Sequence, residues 1–506
     1  MPESDLVSAV EEILSVDPAS FQEQVKADAE VILSEVEDGT FDNPQAIVGL
    51  EYEFYAVDEY GGLARIPRRL LEYVGFEKEL GLHNAEMQTF PDPLNDAGLR
   101  AQESSVISRI DAAARPMDAE GVHLVSDGLW TMAPAGETTR AYLTDSVERD
   151  GIRLATNMSD APRYHAMANG ERRPGMEIDV PHVHLEAETV MPESLITSIQ
   201  PHYQVPRATD LPEYFHYALR VAGPLLALGV NAPFLPPDLY EDVDPYAVLA
   251  DGHAEHRIAI FESMLNVPGR AGKVRFPEDL ATVEDAIMAI AEDDVLVPMP
   301  VESSGRFDDA FAHFRTKHGT FWRWVRPVFE GASRTEANAR IEFRPIPAQP
   351  TVRDSVAFQA AFAGLLEQLR QQEHPLYDLD WATARDNFYG AMRDGLDADL
   401  AYITVDGTET TEREAIFADL FEQAQAGLRS RGLSGETAAQ YLWPLRRRAR
   451  QGMTPAGWKR RRVRENLDEG ATLTVAVEEM QEAYFEMQKR TLLDGTFSDW
   501  FDRSGP

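Results

Sequence analysis

The sequence predicts an α+β fold, with a mostly antiparallel sheet that has a polar inner face and a helical C-terminal segment. Short segments between Gln45 and Pro206 alternate apolar with polar residues, which is typical of strands covered on one face. From Thr351 onward the apolar residues recur with helical spacing instead. Strands that come first and helices that follow them indicate an α+β arrangement rather than an alternating α/β one.

Three regions follow from this order along the 506 residues. Residues 1–44 are predicted as N-terminal helices, residues 45–370 as one large domain around the sheet, and residues 371–506 as a helical C-terminal region. Helical spacing also predicts individual helices over residues 96–114, 212–228, 352–372, 380–394, 412–431, 435–450 and 472–493.

Acidic residues dominate the composition. The chain has 86 Asp and Glu residues against 47 Lys and Arg residues, and its formal charge is −39. Such a surface repels nucleic acid and anionic lipid, so we expect neither nucleic acid nor a membrane as a partner. Because 43% of the residues are apolar, the chain can bury a large core and disorder is disfavoured. An acid-coated globular protein from a salt-adapted organism fits this composition.

Cysteine is absent, and this excludes disulfides, thiolate nucleophiles and cysteine-based metal sites. The start of the chain, "MPESDLVSAVEEILSVD", has acids where a signal peptide needs a basic region. The longest apolar run, "LLALGVNAPFL", is too short to span a bilayer. We therefore expect a soluble, cytoplasmic protein.

The stretch "IVGLEYEFYAVD" places two acids on one face of a predicted strand. Leu50, Tyr52 and Phe54 share the apolar face. On the other face Glu51 and Glu53 lie about 7 Å apart at the usual strand rise. Either that face is exposed to solvent and the acids are simply hydrated, or the two acids bind a cation.

Other predicted strands have similar polar faces. Such faces occur in "NAEMQTF" (Glu86, Gln88), "PHVHLEAE" (His182, His184, Glu186, Glu188), "SIQPHYQVP" (Gln200, His202, Gln204) and "ARIEFRP" (Arg340, Glu342, Arg344). Any one of them alone is more often a solvated sheet face. Together they carry the residue types that bind metals and phosphates rather than the Lys, Thr and Asp of ordinary surfaces. Pro201 predicts a bulge or an edge position for its strand.

A hard divalent cation would explain this grouping of acids. Carboxylates that share a site raise each other's pKa unless a cation is present. Mg²⁺ takes oxygen ligands and is commonly completed by substrate phosphates. Arg340 and Arg344, which lie beside Glu342 in the sequence, would then bind phosphate oxygens through the paired N–H donors of their guanidinium groups. The chain has neither GxxxxGK[ST] nor a strand-linked GxGxxG, so a bound ATP would be held through metal on the polar sheet face.

These segments resemble the glutamate-cysteine ligase type 2 family, whose catalytic domain has a glutamine synthetase/guanido kinase-like fold. "VGLEYEFY" resembles the family's first catalytic strand with its G-x-E-x-E pattern, and "RIEFRPIPAQPTVRD" its late E-x-R strand and the next helix. "PLLALGVNAPF" is similar to its apolar helix ending in Ala-Asn-Ser-Pro-Phe, with Ala232 where the family usually has Ser. "ARQGMTPAGW" resembles a Thr-Pro-Ala segment of the plant-like branch. The similarity runs in order from about Val48 to Leu366, and more faintly to Trp458.

The resemblance implies an ATP-dependent carboxylate-amine ligase with Mg²⁺, or alternatively Mn²⁺, as its metal, and residues 45–370 as its catalytic domain. In such enzymes the γ-carboxylate of glutamate attacks the terminal phosphate of ATP, and an amine displaces phosphate from the acyl phosphate. Cysteine is the expected amine, and a different amine is the main alternative. This chemistry depends on charge neutralisation and alignment, so the absence of cysteine from the chain is no obstacle.

The resemblance also implies roles for individual residues. The expected metal ligands are Glu51, Glu53, Glu86, His202 and Glu342, with His184 competing with His202. "EMQTFP" has one residue more than the family's pattern at Glu86, and the spacing to "NAPF" favours His202. Arg344 matches the phosphate-contacting arginine, and Arg257 a substrate-side or phosphate-side arginine for which a surface ion pair is the competing interpretation. We expect Arg344, Arg340 and Gln204 to contact the nucleotide.

Two other functional classes stay open at this point. Nine Arg or Lys residues lie between Arg446 and Arg464, and an exposed basic stretch would suit a non-catalytic nucleotide-binding or nucleic-acid-binding protein. The same residues would otherwise pair with acids within the chain or across an oligomer such as a homodimer, and we favour this pairing. A zinc hydrolase that uses "HVH" is the third possibility, although no third His follows at a familiar spacing.

Overall fold

The computed structural model describes residues 3–270 and 272–501. Its strands are β1 Ile47–Asp58, β2 Glu77–Lys78, β3 Asn84–Gln88, β4 Asp92–Pro93, β5 Val122–Val125, β6 Ser146–Arg149, β7 Ile152–Ala155, β8 Glu177–Val180, β9 Val183–Glu186, β10 Ile199–Gln204, β11 Val325–Glu330, β12 Asn338–Phe343, β13 Tyr402–Ile403 and β14 Glu409–Thr410.

Its helices are α1 Glu3–Leu14, α2 Pro18–Glu37, α3 Arg68–Tyr73, α4 Asp96–Asp118, α5 Thr139–Thr144, α6 Pro162–Asn169, α7 Leu211–Gly229, α8 Pro245–Asp251, α9 His256–Leu265, α10 Val283–Ala291, α11 Ala312–His318, α12 Val352–Gln371, α13 Trp381–Asp394, α14 Arg413–Ser430, α15 Gly435–Gln451, α16 Pro455–Asp468 and α17 Leu473–Thr491. None of the helices in the described ranges is both long enough and apolar enough to cross a membrane.

One large antiparallel sheet organises the structure. Its strand order is β11-β12-β10-β1-β3-β2, and β4 and β5 also pair with β1. The long strand β1 thus contacts four other strands and forms the centre of the sheet. The pairs β6-β7, β8-β9 and β13-β14 form separate two-stranded sheets. The predicted α+β class with an antiparallel sheet is confirmed.

The two faces of the sheet differ as the alternation in β1 predicts. Leu50, Tyr52 and Phe54 are buried on the apolar face. Helices α7 and α12 cover that face, for example where the ring of Phe343 stacks on Phe362 with 4.3 Å between the centroids. Nearly every residue of these two helices is buried, which is typical of core helices. The opposite face of β1, β10 and β12 is left to polar side chains.

The predicted helices are present, with ends that differ by a few residues. The largest difference is at α4, which continues past residue 114 to Asp118 and contains Pro116 in its last turns. Helix α16 and the shorter helices α3, α5, α6, α8, α9, α10 and α11 were not predicted. In α16 the run "KRRRVRENLD" has too few apolar residues to show a periodicity, whereas Pro455 and the capping side chain of Thr454, which accepts from the Gly457 N–H, define its start.

Of the two alternatives predicted for Pro201, the edge position was wrong and the bulge is present, because the pairing shifts by one residue between His202 opposite Glu342 and Ser198 opposite Pro347. Strand β10 lies inside the sheet between β1 and β12, and its register with β1 is continuous through Leu50 opposite Pro201. The register with β12 begins only at His202 opposite Glu342. The nitrogen of Pro201, which has no hydrogen to donate, therefore lies where the hydrogen-bond ladder between β10 and β12 ends. An interior strand tolerates a proline at such a position.

The basic stretch is partly buried, and this bears out the internal pairing that we favoured. Arg448 is fully buried, and its guanidinium donates to Asp354 at 2.7 Å and to Gln349 at 2.6 Å. Lys459 is also buried, and its ammonium group contacts Asp127 and donates to the Asn231 carbonyl at 2.7 Å. Both cations of the C-terminal helices thus reach into the body that carries the sheet. The boundary near residue 370 stays a prediction.

Candidate active site

Three strands bring Glu51, His202 and Glu342 together on the polar face. The register places His202 opposite Glu342 across the β10–β12 pair, and Glu51 is two residues from Gly49, the partner of His202 on β1. One ligand atom from each of the three side chains lies within 4.8 Å of the others. Within residues 3–270 and 272–501 this is the only such group of three metal-ligating side chains.

The imidazole of His202 has one nitrogen engaged and one free. Its Nδ1 accepts a hydrogen bond from Arg340 Nε at 3.0 Å. Its Nε2 is 3.3 Å from Glu51 Oε1 but makes no hydrogen bond with the described residues. Because Nδ1 accepts this hydrogen bond, the single proton of the neutral ring is on Nε2. His202 can bind a metal through Nε2 only if Arg340 stops donating to Nδ1, so that the proton can be on Nδ1 instead. A buried imidazole nitrogen without a partner, next to two carboxylates, fits a metal ligand.

Arginines balance the carboxylate of Glu342. Arg326 Nε donates to Oε2 at 2.8 Å, and Arg344 Nη1 donates to Oε1 at 2.6 Å. Burial alone would raise the pKa of Glu342, but the guanidinium groups of Arg326 and Arg344 together hold that pKa well below its usual range. Arg344 also donates to Gln200, the residue across from Glu51. We call Glu51, His202, Glu342, Arg326, Arg340 and Arg344 the arginine-balanced cluster.

A second group of acids lies beside it and has less compensation. Glu53 faces Glu86 across the β1–β3 pair. The charge of Glu79 acts on both of these acids, and Glu193 interacts electrostatically with Glu53. Burial, with the charge of Glu79, raises the pKa of Glu53 to about 7. Burial and the neighbouring acids raise the pKa values of Glu86 and Glu193 well above their usual range. We call Glu53, Glu79, Glu86 and Glu193 the acid-rich cluster.

The carboxylate of Glu53 is fixed in place by donors from the next strand. It accepts from the backbone N–H of Ser198 at 2.6 Å, from the Ser198 hydroxyl at 3.1 Å and from the Gln200 amide at 2.9 Å. Arg344 and then Arg257 lower its pKa only in part. The oxygens of Glu53 are therefore held in a fixed position, and the nearby arginines neutralise their charge only in part.

A cleft of about 450 Å³ opens next to the arginine-balanced cluster. Glu51, His202, Arg340 and Gln204 form one part of its wall. Arg340 is held there by Glu330, whose Oε1 accepts from Nη2 at 2.7 Å, and the Gln204 amide donates to the Gln45 carbonyl at 2.8 Å. The structure thus places the predicted nucleotide contacts Arg340 and Gln204 in one open cleft with two predicted metal ligands.

Arg257 lies behind Arg344. It is only 4% exposed, and its Nε lies 3.7 Å from Oε1 of the buried Glu255, so an ion pair is present but not at the surface. Its guanidinium donates to the carbonyl oxygens of Arg344, at 3.2 Å, and of Pro345, and it lies over the Trp324 ring. Arg257 therefore fixes the main chain that follows β12, and in this structure it does not reach the cleft.

His184 is not brought to either cluster. It lies on the separate β8–β9 hairpin, more than half of its side chain is exposed, and its nearest acids are Glu186 at 3.6 Å and Asp179 at 3.9 Å. His182 instead contacts Asp251 at 3.2 Å. Neither histidine of "HVH" belongs to a group of three ligands in the described part of the chain, which removes the geometric basis for a zinc hydrolase.

Sequence reasoning missed Arg326, Glu79 and Glu193. Arg326 lies on β11, where it faces Glu342 directly, and the alternation in "VRPVFE" would have indicated it if Pro327 had not argued against a strand. Glu79 follows the two-residue strand β2, and Glu193 lies in a 3₁₀ turn over Met191–Leu195. Elements this short leave no periodic signal in a sequence.

Residues 47–486 match the sequence profile of glutamate-cysteine ligase family 2. The fold is similar to a glutamate-cysteine ligase from Francisella tularensis in complex with AMP, with 14% identity, a TM-score of 0.49, and coverage of 90% of this chain and 91% of that chain. It is also similar to a bifunctional glutathione synthetase from Pasteurella multocida, with 14% identity, a TM-score of 0.48, and coverage of 91% of this chain and 55% of that chain. A search of curated proteins gave no significant match.

The family match spans all the strands of the large sheet and continues through most of the C-terminal helices. It therefore includes every residue of the arginine-balanced and acid-rich clusters. The resemblance seen in the short motifs is confirmed over most of the chain. This chain belongs to glutamate-cysteine ligase family 2, a family of ATP-dependent ligases.

Proposed function

We propose that this protein joins the γ-carboxylate of glutamate to the amino group of cysteine, through an acyl phosphate formed at the expense of ATP. The observation that carries the proposal is the convergence of Glu51, His202 and Glu342 within 4.8 Å, beside a cleft lined by Arg340. A carboxylate-amine ligase needs such a place, because phosphoryl transfer depends on neutralising and aligning phosphate charge.

The donor sets support a divalent metal, with Mg²⁺ as the proposed ion and Mn²⁺ as the alternative. Glu51, His202 and Glu342 offer two carboxylates and a buried imidazole nitrogen without a partner. In the acid-rich cluster, burial and then the neighbouring acids raise the pKa values of Glu53, Glu86 and Glu193, and a bound cation would offset both effects. When bound, the metal would supply positive charge to the phosphates of ATP.

We assign to Arg344 the stabilisation of the transferring phosphate. Its guanidinium is anchored by Glu342 and Gln200, and it lowers the pKa of Glu53 in the other cluster. It therefore lies between the two proposed metal sites, where charge on a phosphoryl group develops in such reactions. Arg340 and Gln204 would bind the nucleotide along the cleft, and Arg257 would position Arg344 through its main chain.

The identity of the amine is the finer part of the proposal. Phosphate release should be measured with purified protein, MgATP, glutamate and one amine at a time: cysteine, glycine or ammonia. We expect glutamate-dependent release that is fastest with cysteine. If glycine or ammonia supports equal release, the cysteine assignment is wrong and another amine is the substrate. Absence of glutamate-dependent release with every amine would contradict the ligase itself.

A nucleic-acid-binding function receives little support from the basic stretch. Arg448 and Lys459 are buried and paired with Asp354 and Asp127, so they cannot contact a phosphate backbone. The carboxylate positions of the candidate site are also all filled, which a degraded, non-catalytic relative would not require. Filter binding to RNA at moderate salt tests this alternative, because tight and salt-sensitive binding would favour it.

A further inference from the structure

The cleft has an aromatic wall at the end away from the arginine-balanced cluster. Phe90 lies just after β3 and lines the cleft together with Arg109. Its side chain is 77% exposed, which makes it one of the most exposed large apolar side chains in the described part of the chain. A single exposed aromatic ring needs no explanation by itself. The main chain that carries this ring is, however, unusually well fixed.

A buried glutamine holds the backbone on both sides of Phe90. Gln102 on α4 is fully buried, and its amide donates to the Phe90 carbonyl at 2.6 Å and to Asp92 Oδ2 at 2.8 Å. The hydroxyl of Thr89 donates to the carbonyl oxygen of the same glutamine at 2.5 Å. The N–H of Thr89 also donates to the Leu50 carbonyl of β1 at 2.9 Å. The ring of Phe90 is therefore presented to the cleft from a rigid main chain.

Arg109 fixes the ring itself. Its guanidinium carbon lies 5.7 Å from the centroid of the Phe90 ring, which is a cation–π distance. Arg109 is in turn anchored, because its Nη1 donates to the Gln88 carbonyl at 2.6 Å. The guanidinium lies over one face of the ring, and the other face is the one on which a heteroaromatic base would stack.

The position of Phe90 along the cleft suits the length of a nucleotide. The β1–β3 register places Gln88 opposite Glu51, and Phe90 is two residues further along, about 7 Å at the strand rise. Gly49 of β1 is level with Phe90 on one side and pairs with His202 on the other, and it has no side chain to divide the cleft between them. One end of the cleft thus has ligands for metal and phosphate, and the other has an aromatic ring.

We propose that Phe90, held by Gln102 and Arg109, is the stacking platform for the base of the bound nucleotide. The inference rests on the proposed function, since it assigns the two ends of the same cleft to the phosphates and the base of ATP. The base is the purine of ATP, and it would stack with its π face on the ring. The ring makes no hydrogen bond to the base.

The test uses Phe90→Ala, Phe90→Leu and Phe90→Trp in the full chain. Loss of one base–aromatic stack should raise the Kd of ADP with Mg²⁺, measured by calorimetry, and the KM for ATP by about 5-fold to 100-fold in Phe90→Ala. Phe90→Leu keeps the apolar bulk and should lie between, whereas Phe90→Trp should bind at least as tightly as the wild type. The KM for glutamate should change by less than the KM for ATP in all three.

The matched control is Tyr60→Ala, which removes a ring that is 75% exposed and does not line the cleft. Its Kd for ADP and KM for ATP should stay within about twofold of the wild type, which is the range expected for a surface change. Nucleotide binding by Phe90→Ala equal to that of the wild type would overturn the inference, as would equal losses in Phe90→Ala and Tyr60→Ala. A wild-type protein that binds ADP but shows no ligation would instead count against the proposed function alone, and one that binds no nucleotide would overturn both.

Discussion

The two clusters on the polar face of the sheet share a strand but differ in charge balance. Strand β1 contributes Glu51 to the arginine-balanced cluster and Glu53, two residues on, to the acid-rich cluster. In the first, Arg326 and Arg344 outweigh the effect of burial and keep the pKa of Glu342 well below its usual range. In the second, burial and neighbouring acids raise the pKa of Glu53 to about 7. The arginines thus stabilise the ionised form of Glu342, whereas Glu53 is buried beside other acids, a situation that a cation would relieve.

The largest effect is expected from Glu342→Gln. It removes a proposed metal ligand and the anchor of Arg344, so ligation should fall by about 10³-fold or more. The fold should also lose about 3 to 5 kcal/mol, because Arg326 and Arg344 stay buried without their carboxylate. Phosphate release and chemical denaturation measure the two effects. An active variant with unchanged Mg²⁺ dependence would show that Glu342 is not a ligand.

Arg344→Lys should have the next largest effect. Lysine keeps the charge but not the planar fork that now reaches Glu342 and Gln200. We expect a loss of about 3 kcal/mol of transition-state stabilisation, or roughly 100-fold in kcat, with a smaller change in the KM for glutamate. Steady-state kinetics beside a thermal melt separate this from a structural role. Normal turnover with a lowered Tm would mean that Arg344 merely supports the strand end.

The two histidines offer a matched pair. His202→Asn should raise the Mg²⁺ concentration needed for half-maximal activity by about 10-fold to 100-fold, because it removes a proposed ligand from the arginine-balanced cluster. His184→Asn should leave it unchanged, since His184 is exposed on the β8–β9 hairpin. Metal titrations of both variants decide the question that the sequence left open. A larger effect of His184→Asn would place the metal elsewhere.

Alternating residues made the arginine-balanced cluster largely predictable. In β1, β10 and β12 the polar residues stand at every second position, so the faces of Glu51, His202 and Glu342 follow from the strand period alone. The order of these strands in the sheet does not follow from the period, and the prediction relied on family resemblance to bring them together. Arg326 was not predicted, because Pro327 in the same strand argues against a strand and so hides the alternation of polar and apolar residues.

The acid-rich cluster was predictable only where it uses the sheet. Glu53 and Glu86 face each other across regular strands, whereas Glu79 and Glu193 come from a strand end and a 3₁₀ turn. Their positions depend on tertiary packing, which a single sequence does not encode as a period. The same reason applies to Arg257. Its helix was not predicted, and its contact with the carbonyls after β12 joins residues 87 and 88 positions apart in the chain.

The smallest effect, and the most direct test of the comparison, is the stability of Glu53→Gln without metal. The pKa of Glu53 is raised in the folded protein from a usual value of 4.5 to about 7, so between these values the native state binds more protons than the unfolded state. Stability from this group therefore falls as pH rises through that window. Glutamine keeps the hydrogen-bonding shape of the protonated acid and removes this loss.

In EDTA at pH 8 we accordingly expect Glu53→Gln to be more stable than the wild type by about 1 to 3 kcal/mol. The difference should shrink as the pH falls through about 7 and vanish near 4.5, where the wild-type carboxyl is protonated in both states. Mg²⁺ should stabilise the wild type more than the variant, because binding to the native state is what offsets the repulsion. Denaturation at several pH values measures this, with the exposed Glu59→Gln as the control. A variant less stable than the wild type at pH 8 in EDTA would mean that Glu53 is compensated within the protein, and the contrast between the two clusters would not hold.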